Sequence, residues 1–295
     1  MADVGTIRHA TVVGVGLLGG SAALALRAAS PSVRIAGVGR RQASLDEALR
    51  LGAIDTAHLD AAEPVGQTEL VLLATPVAAF APHLRALAPA LKPGAIVTDV
   101  GSTKARVVRL AERLLGAGGP FVGSHPMAGS ERKGVAYARA DLFSGATCVV
   151  TPTRHTPDEL TARVERLWAA LGMRTVRMSP SAHDRAVARV SHLPHVLASL
   201  LMMLPQTGDL DVAATGFRDA TRLAGGDPEM WRDILTTNRR AILDALDRFA
   251  SDLSDLQGLL ADGDAGDIEQ FLAKAKRRRD ETLAQSTPER RVAME

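Results

Sequence analysis

Between residues 7 and 180 the sequence alternates two kinds of stretch. Short β-branched runs, ATVVGVG, VRIAGVG, ELVLLATP and AIVTDVGS, are separated by Ala/Leu-rich amphipathic stretches, GGSAALALRAAS, SLDEALRLG and VAAFAPHLRALAPAL. Parallel strands need a crossover long enough to carry a helix, so this alternation predicts a parallel sheet covered by helices. The series continues through VVRLAERLLGA, PFVGSHP, ATCVVTP, PDELTARVERLWAALG and MRTVRMS, which places the end of an α/β domain at residue 180. Beyond Ser181 strand-like runs disappear. The segments HDRAVARVSHLPHVLASLLMML, DVAATGFRDATRLA, PEMWRDILTTNRRAILDALDRFASDLSDLQGLLAD and GDIEQFLAKAKRRRDETLA all carry helical periodicity, so residues 181–295 are expected to form an all-α domain.

Local signals refine the helical part. Asp227 before Pro228 is an N-cap and N1 pair that starts the third of these helices. Pro194 should kink the first, because it lacks a backbone donor and crowds the preceding turn. LASLLMML is almost wholly apolar, as suits a helix buried on every side at a domain centre or a subunit interface, and a homodimer through the helical domain is expected. The last residues, 284–295, read as a frayed end.

Composition excludes several classes of protein. The chain of 295 residues is 46% hydrophobic, enough for a core in each of two domains. Its formal net charge is +2, with basic residues spread along the chain until KAKRRRD, so no nucleic-acid footprint is indicated. Cys148 is the sole cysteine, which rules out an internal disulfide and a zinc-cysteine cluster and fits a reducing cytoplasm. The early apolar run ATVVGVGLLGGSAALALRAA is interrupted by Gly14, Gly16, Gly19 and Gly20 and follows Asp3, unlike an export signal or a membrane span.

Those glycines have another use. GVGLLGG places Gly14, Gly16 and Gly19, with Leu17 and Leu18 between them, where a strand turns into a helix. The spacing permits a tight turn, a close approach of backbone to a pyrophosphate, and helix packing on the strand, with phosphate at the helix N-terminus. It predicts a Rossmann-type dinucleotide-binding domain. At the end of the second strand, where an acidic residue would accept hydrogen bonds from ribose hydroxyls, stand Gly39, Arg40 and Arg41. Two guanidinium groups suit a 2′-phosphate, so NADP is favoured over NAD, the alternative being two solvated arginines at a helix start. Thr75 and Pro76 end the LVLLATP strand at the edge where a dinucleotide lies, in a binding or a turn-forming role. Asp99, Gly101 and Ser102 end the next strand, and Ser102 either meets a substrate hydroxyl or caps the helix that follows. In FVGSHPMAGSERKG, His125 is either a base or a turn residue.

The motifs DVGSTK, GSHPMAGSERKGV, HDRAVARVSHLPH and GFRDATRLAGGDPEMWRDI follow the fingerprint in this order. Together they resemble the prephenate/arogenate dehydrogenase family of tyrosine biosynthesis, over residues 8 to 280 and in its stand-alone form. The resemblance implies an NAD(P)-dependent oxidative decarboxylation of a small cyclohexadienyl substrate. It assigns His125 as the catalytic histidine, Ser102 as a group that bonds the substrate hydroxyl or orients that histidine, and Arg222 as the partner of the ring carboxylate. His195, Glu131 and Trp231 match positions that order the substrate, with His195 preferred over His192, and the resemblance implies that Arg218 with Asp219 reaches the partner subunit's site. Rivals are a β-hydroxyacid-type dehydrogenase, which relies on a lysine in the helical domain where only Lys274 and Lys276 occur, and a nucleotide-sensing protein without catalysis.

Overall fold

The computed structural model describes residues 7–129 and 132–285. Chain contacts divide it into two compact units, one reaching to Ile242 and one from Leu243 onward.

The first unit is built on β1 (His9–Val13), α1 (Leu17–Ala29), β2 (Arg34–Val38), α2 (Gln42–Arg50), β3 (Thr56–His58), β4 (Leu70–Leu73), α3 (Phe80–Leu87), β5 (Ile96–Asp99) and α4 (Ala105–Leu115). Its sheet has the order β3-β2-β1-β4-β5, and every pairing is parallel. Strands covered on both faces read as continuous apolar runs, and all four residues of β4, Leu-Val-Leu-Leu, are buried. One face packs Ala22, Leu26, Phe143 and Trp168, while the other packs Phe80, Leu84, Leu87 and Val107. Because the strands are parallel, β1, β4 and β5 deliver their carboxyl ends to one edge.

The strand series after α4 departs from the expected parallel pattern. β6 (Gly123–Pro126), β7 (Thr147–Thr151) and β8 (Arg174–Arg177), with α5 (Asp158–Ala170) before β8, form a three-stranded sheet in which β6 and β7 are antiparallel and β7 and β8 parallel. Among the described residues of the connection between β6 and β7 there is a 3₁₀ turn, Val135–Tyr137, and no crossover helix that would return the chain in the same direction. The two sheets meet where Val97 of β5 bridges Phe121 in parallel, with Val97 N–H donating to the Pro120 carbonyl (2.9 Å) and Val122 N–H to the Val97 carbonyl (3.0 Å). That bridge brings β6 to the same edge as β5, and His125 with it.

In the helical segments of this unit, α6 (Pro180–Val187) and α7 (Leu193–Met202) are joined by a π-helical turn, Ala188–His192. At the place where a kink is expected, the turn before Pro194 is widened, which accommodates the proline ring and its missing donor. α8 (Thr215–Thr221), a 3₁₀ turn (Arg222–Gly225) and α9 (Pro228–Thr237) follow. Asp227 caps α9 as expected, its side chain accepting from Glu229 N–H at 3.3 Å. The single helix expected over 228–262 breaks at Asn238 (φ −109°, ψ 22°), after which α10 (Arg239–Asp262) begins. LASLLMML is not buried on every side within one chain: Leu200, Met203 and Leu204 are 55%, 83% and 71% exposed.

The second unit holds most of α10 and α11 (Ala265–Gln285), with Leu253, Leu260, Phe271 and Leu272 exposed along them. The frayed end expected at 284–295 falls outside the described residues from 286 onward. Among the described residues no helix is long and apolar enough to cross a membrane.

Candidate active site

At the β1 end, Gly14 adopts φ +99°, and a Cβ there would lie 2.7 Å from the Ala74 carbonyl and the Thr75 nitrogen. A Cβ on Gly19 would lie 2.1 Å from the Gly14 carbonyl oxygen. Both glycines are therefore needed to seat the turn on β4 and α1 on the turn. Gly16 is different: nothing lies within 4 Å of its Cβ position, so it opens on space in front of the N-terminus of α1. Leu17 and Leu18 begin that helix. On the same edge the Thr75 hydroxyl is buried with no hydrogen-bond partner among the described residues, and Pro76 is exposed beside it. Gly39 closes β2 by donating to the His58 carbonyl (3.1 Å); Arg40 and Arg41 follow it, both exposed.

The β5 end is organised by buried charge. Asp99 and Lys104 are wholly buried and ion-paired. Asp99 also accepts from Gly101 N–H (2.8 Å) and Ser124 N–H (3.0 Å), and Lys104 Nζ donates to the Ser124 carbonyl (2.7 Å). The Ser124 hydroxyl donates to the Asp99 carbonyl (2.5 Å) and accepts from Trp168 Nε1 (2.9 Å). The residue before His125 is thus fixed through both its backbone and its side chain. Ser102 is half-buried in the loop between β5 and α4 and does not cap α4, whose N-cap position is Lys104 and carries no side-chain cap. The cap comes from elsewhere. Asp184 of α6 accepts from Lys104 N–H (2.7 Å) and Ala105 N–H (2.9 Å).

His125 is joined to that carboxylate through a second histidine. Its Nδ1 lies 2.8 Å from Nε2 of His183, whose Nδ1 lies 2.8 Å from Oδ1 of Asp184. Burial, followed by the charges of His183 and Lys104, holds His125 well below the usual imidazole range, so the ring is neutral near pH 7. Burial also lowers His183, against the pull of Asp184. Further along, Asn238 Nδ2 donates to the Asp184 carbonyl (2.8 Å) and lies 3.1 Å from Nδ1 of His192, which burial pushes down to about 4.

His195 and Trp231 are stacked, with ring centroids 3.5 Å apart and planes 7° from parallel. The His195 ring bonds the backbone of Leu223, next to Arg222. A Cβ on Gly226 would lie 2.3 Å from Trp231 Nε1 and 2.9 Å from His195 Cε1, so only glycine lets the chain pass this stack. Arg222 is exposed and forms no ion pair among the described residues, and Arg218 and Asp219 are exposed on α8. Glu131 lies outside the described residues.

Residues 22–177 match the family described as prephenate dehydrogenase, nucleotide-binding domain, and residues 179–274 match prephenate dehydrogenase, dimerization domain. The chain belongs to the prephenate dehydrogenase family. A cyclohexadienyl dehydrogenase of Zymomonas mobilis is 36% identical over 280 residues, covering 92% of this chain and 95% of that protein. A prephenate dehydrogenase of Bacillus subtilis is 36% identical over 91% of this chain and 74% of its own. Among solved structures, prephenate dehydrogenase from A. aeolicus in complex with hydroxyphenyl propionate and NAD+ superposes with a TM-score of 0.88 at 32% identity, covering 94% of this chain and 99% of that one. Synechocystis arogenate dehydrogenase gives 0.82 at 33% identity, covering 93% and 99%. The chain is accordingly an oxidoreductase with a nucleotide-binding N-terminal region.

Within this prephenate dehydrogenase fold, the buried residues that organise the site are ones the sequence did not single out. His183, Asp184, Lys104 and Asn238 all lie within the motifs and helical segments above, and the family resemblance attaches no role to them. The available signal was local: a His-Asp pair directly after the Ser-Pro helix start, and a lysine at the head of TKARVV where a small polar cap is the common choice.

Proposed function

We propose that this chain catalyses the NAD(P)-dependent oxidative decarboxylation of prephenate, or of its amino counterpart arogenate, for tyrosine biosynthesis. The observation that carries this reading is the placement of His125. It is neutral and half-buried at the edge that also bears the glycine turn, Thr75 and Ser102.

A dinucleotide fits that edge on three grounds: the open space at Gly16, the turn that Gly14 and Gly19 alone can form, and the orphaned Thr75 hydroxyl. Gly14, Gly16, Leu17, Leu18 and Gly19 would hold the pyrophosphate, and Thr75 and Pro76 would flank the dinucleotide. When bound, the nicotinamide supplies a hydride acceptor for C4 of the substrate. NADP is favoured over NAD because no acid ends β2, and neither Arg40 nor Arg41 forms an ion pair among the described residues, so both are available to a 2′-phosphate.

The protein's own groups handle protons and carboxylates. His125 accepts the proton of the 4-hydroxyl as the C4–H electron pair departs, and Ser102 bonds the same oxygen. The C4 carbonyl so formed takes up the electron pair released when the ring carboxylate leaves as CO2, and protonation of that oxygen yields the phenol. Arg222 holds the ring carboxylate before it leaves, a role suited to a fork-shaped permanent cation. His195 and Trp231 line the substrate side, with Glu131 ordering the side chain.

We place the functional division at residue 180, with residues 181–295 as substrate and dimerisation region. Leu201, Leu204, Leu210, Val212 and Phe217 line an exposed apolar recess, which supports a homodimer through this surface. Arg218, next to Phe217, would then reach the partner's site. A cytoplasmic location suits the single buried thiol, Cys148. Steady-state rates with prephenate and arogenate, each with NAD and NADP, test the reading; no turnover with either substrate rejects it.

A further inference from the structure

The hydrogen-bond chain behind His125 ends on donors that cannot reverse. Lys104 N–H and Ala105 N–H are backbone groups at the head of α4, and each can only donate, so Asp184 must accept on both oxygens. Asp184 is held below the usual carboxylate range: burial works against ionisation, but the bond from His183 and those from the two backbone N–H groups outweigh it. An ionised Asp184 requires the proton of His183 on Nδ1, 2.8 Å away. A neutral His183 then has a bare Nε2, which can only accept. The facing atom, Nδ1 of His125, must therefore carry its own ring's proton, leaving His125 Nε2 bare.

The chain is also rigid. Asp184 cannot turn away without uncapping α4, because no side chain within α4 or its N-cap replaces it. Asn238 Nδ2 binds the Asp184 carbonyl, which ties α6 to the break between α9 and α10. His183 is wholly buried, and its ring meets that of His125 edge-on at 5.1 Å. Turning the His125 ring breaks its bond to His183, and turning the His183 ring breaks that bond and the one to Asp184 together.

We propose that His183, anchored by Asp184, is a positioning residue that fixes His125 in the Nδ1–H tautomer and so presents Nε2 as the acceptor for the substrate's hydroxyl proton. This rests on His125 being the base. A ring protonated on Nε2 would offer a donor where the reaction needs an acceptor. Neither His183 nor Asp184 is required to touch substrate.

The test uses the full chain labelled with ¹⁵N-histidine, with the His125 ring assigned from the spectrum of His125→Asn. Long-range ¹H–¹⁵N correlations on the substrate-free protein at neutral pH should show a protonated Nδ1 and a bare Nε2. In His183→Leu the acceptor is gone, and the His125 proton should shift toward Nε2, the form preferred by a free imidazole. Turnover should fall by about 10²–10⁴-fold, as expected for a base in the wrong tautomer, with KM and dinucleotide affinity changed by less than about threefold. His183→Gln offers a carbonyl to His125 Nδ1 and should recover most of the rate. A proton on Nε2 in the native protein, or a His183→Gln variant as impaired as His183→Leu, overturns the proposal. Should His125→Asn retain turnover, the assignment of His125 as base fails separately, because the tautomer is read without substrate or activity.

Discussion

Lys104 reaches back along its own loop to pair with Asp99 at the end of β5, and both side chains are fully out of solvent. The pair also holds Ser124, since Asp99 accepts its N–H and Lys104 donates to its carbonyl. Burial pushes the Asp99 carboxyl up and the Lys104 ammonium down, each against the attraction of the other. Removing one partner strands a buried charge, which costs about 3–5 kcal/mol. Lys104→Met should destabilise the protein by that order in urea unfolding, and adding Asp99→Asn should restore part of the loss. Single-variant losses below about 1 kcal/mol would show that the pair does not hold the β5 and β6 ends together.

The glycine turn separates folding from binding. Gly14→Ala forces a Cβ against the β4 backbone at a φ of +99° and should lower both the melting temperature and dinucleotide affinity. Gly16 sits at φ −104° with open space at its Cβ, so Gly16→Ala should leave the melting temperature within a few degrees of native. Dinucleotide affinity should nevertheless fall at least about tenfold, because the new methyl occupies the approach to the helix N-terminus. Thermal unfolding and equilibrium titration of the two variants read these effects separately. Unchanged affinity in Gly16→Ala would mean that the pyrophosphate does not lie there.

What the sequence made legible was local. Strand and helix periodicities, the glycine turn after β1, and the Asp227–Pro228 start of α9 each depend on neighbours within a few residues. The antiparallel entry of β7 is not legible in the strand pattern, because strand direction depends on what connects β6 to β7, and the described residues of that connection carry no crossover helix. His125 was legible from its motif, but its environment was not. His183 is 58 residues away in sequence, on the far side of the expected domain boundary, and joins His125 only in the fold. The apolar run LASLLMML reads as either a domain centre or a subunit interface, because hydropathy does not distinguish a core from a surface that takes a partner; its exposure within one chain is what the second alternative requires.

Arg222 should control affinity for the substrate carboxylate. It is exposed, forms no ion pair among the described residues, and follows α8 beside Leu223, which bonds His195. With no ion pair among the described residues to lose, Arg222→Gln should leave the melting temperature unchanged. Loss of one charge-assisted contact of about 1.5–3 kcal/mol should raise KM by roughly 10–100-fold, with a smaller effect on kcat. A native KM in this variant, measured by initial rates over substrate concentration, would reject the pairing.

His192 gives the fold a defined sensitivity to acid. Burial, with the charges of His183 and His195, lowers it from 6.5 to about 4, while the pull of Asp184 opposes the shift. Between those two values the unfolded chain binds a proton that the folded chain refuses, so stability is fully present above pH 6.5 and is lost as the pH falls toward 4. For this one group the loss by pH 5 is about 2 kcal/mol. His183 and His195 are shifted in the same direction by burial and deepen the decline. Gln in place of His192 keeps a polar side chain beside Asn238 but cannot take the proton. His192→Gln should therefore cost stability at pH 7.5, where the native ring is neutral and packed edge-on to Trp231 at 6.0 Å, and cost about 2 kcal/mol less at pH 5. Urea unfolding of both proteins at the two pH values measures that difference. If it is the same at both, the acid sensitivity lies in other groups, and His192 is protonated without strain in the folded state.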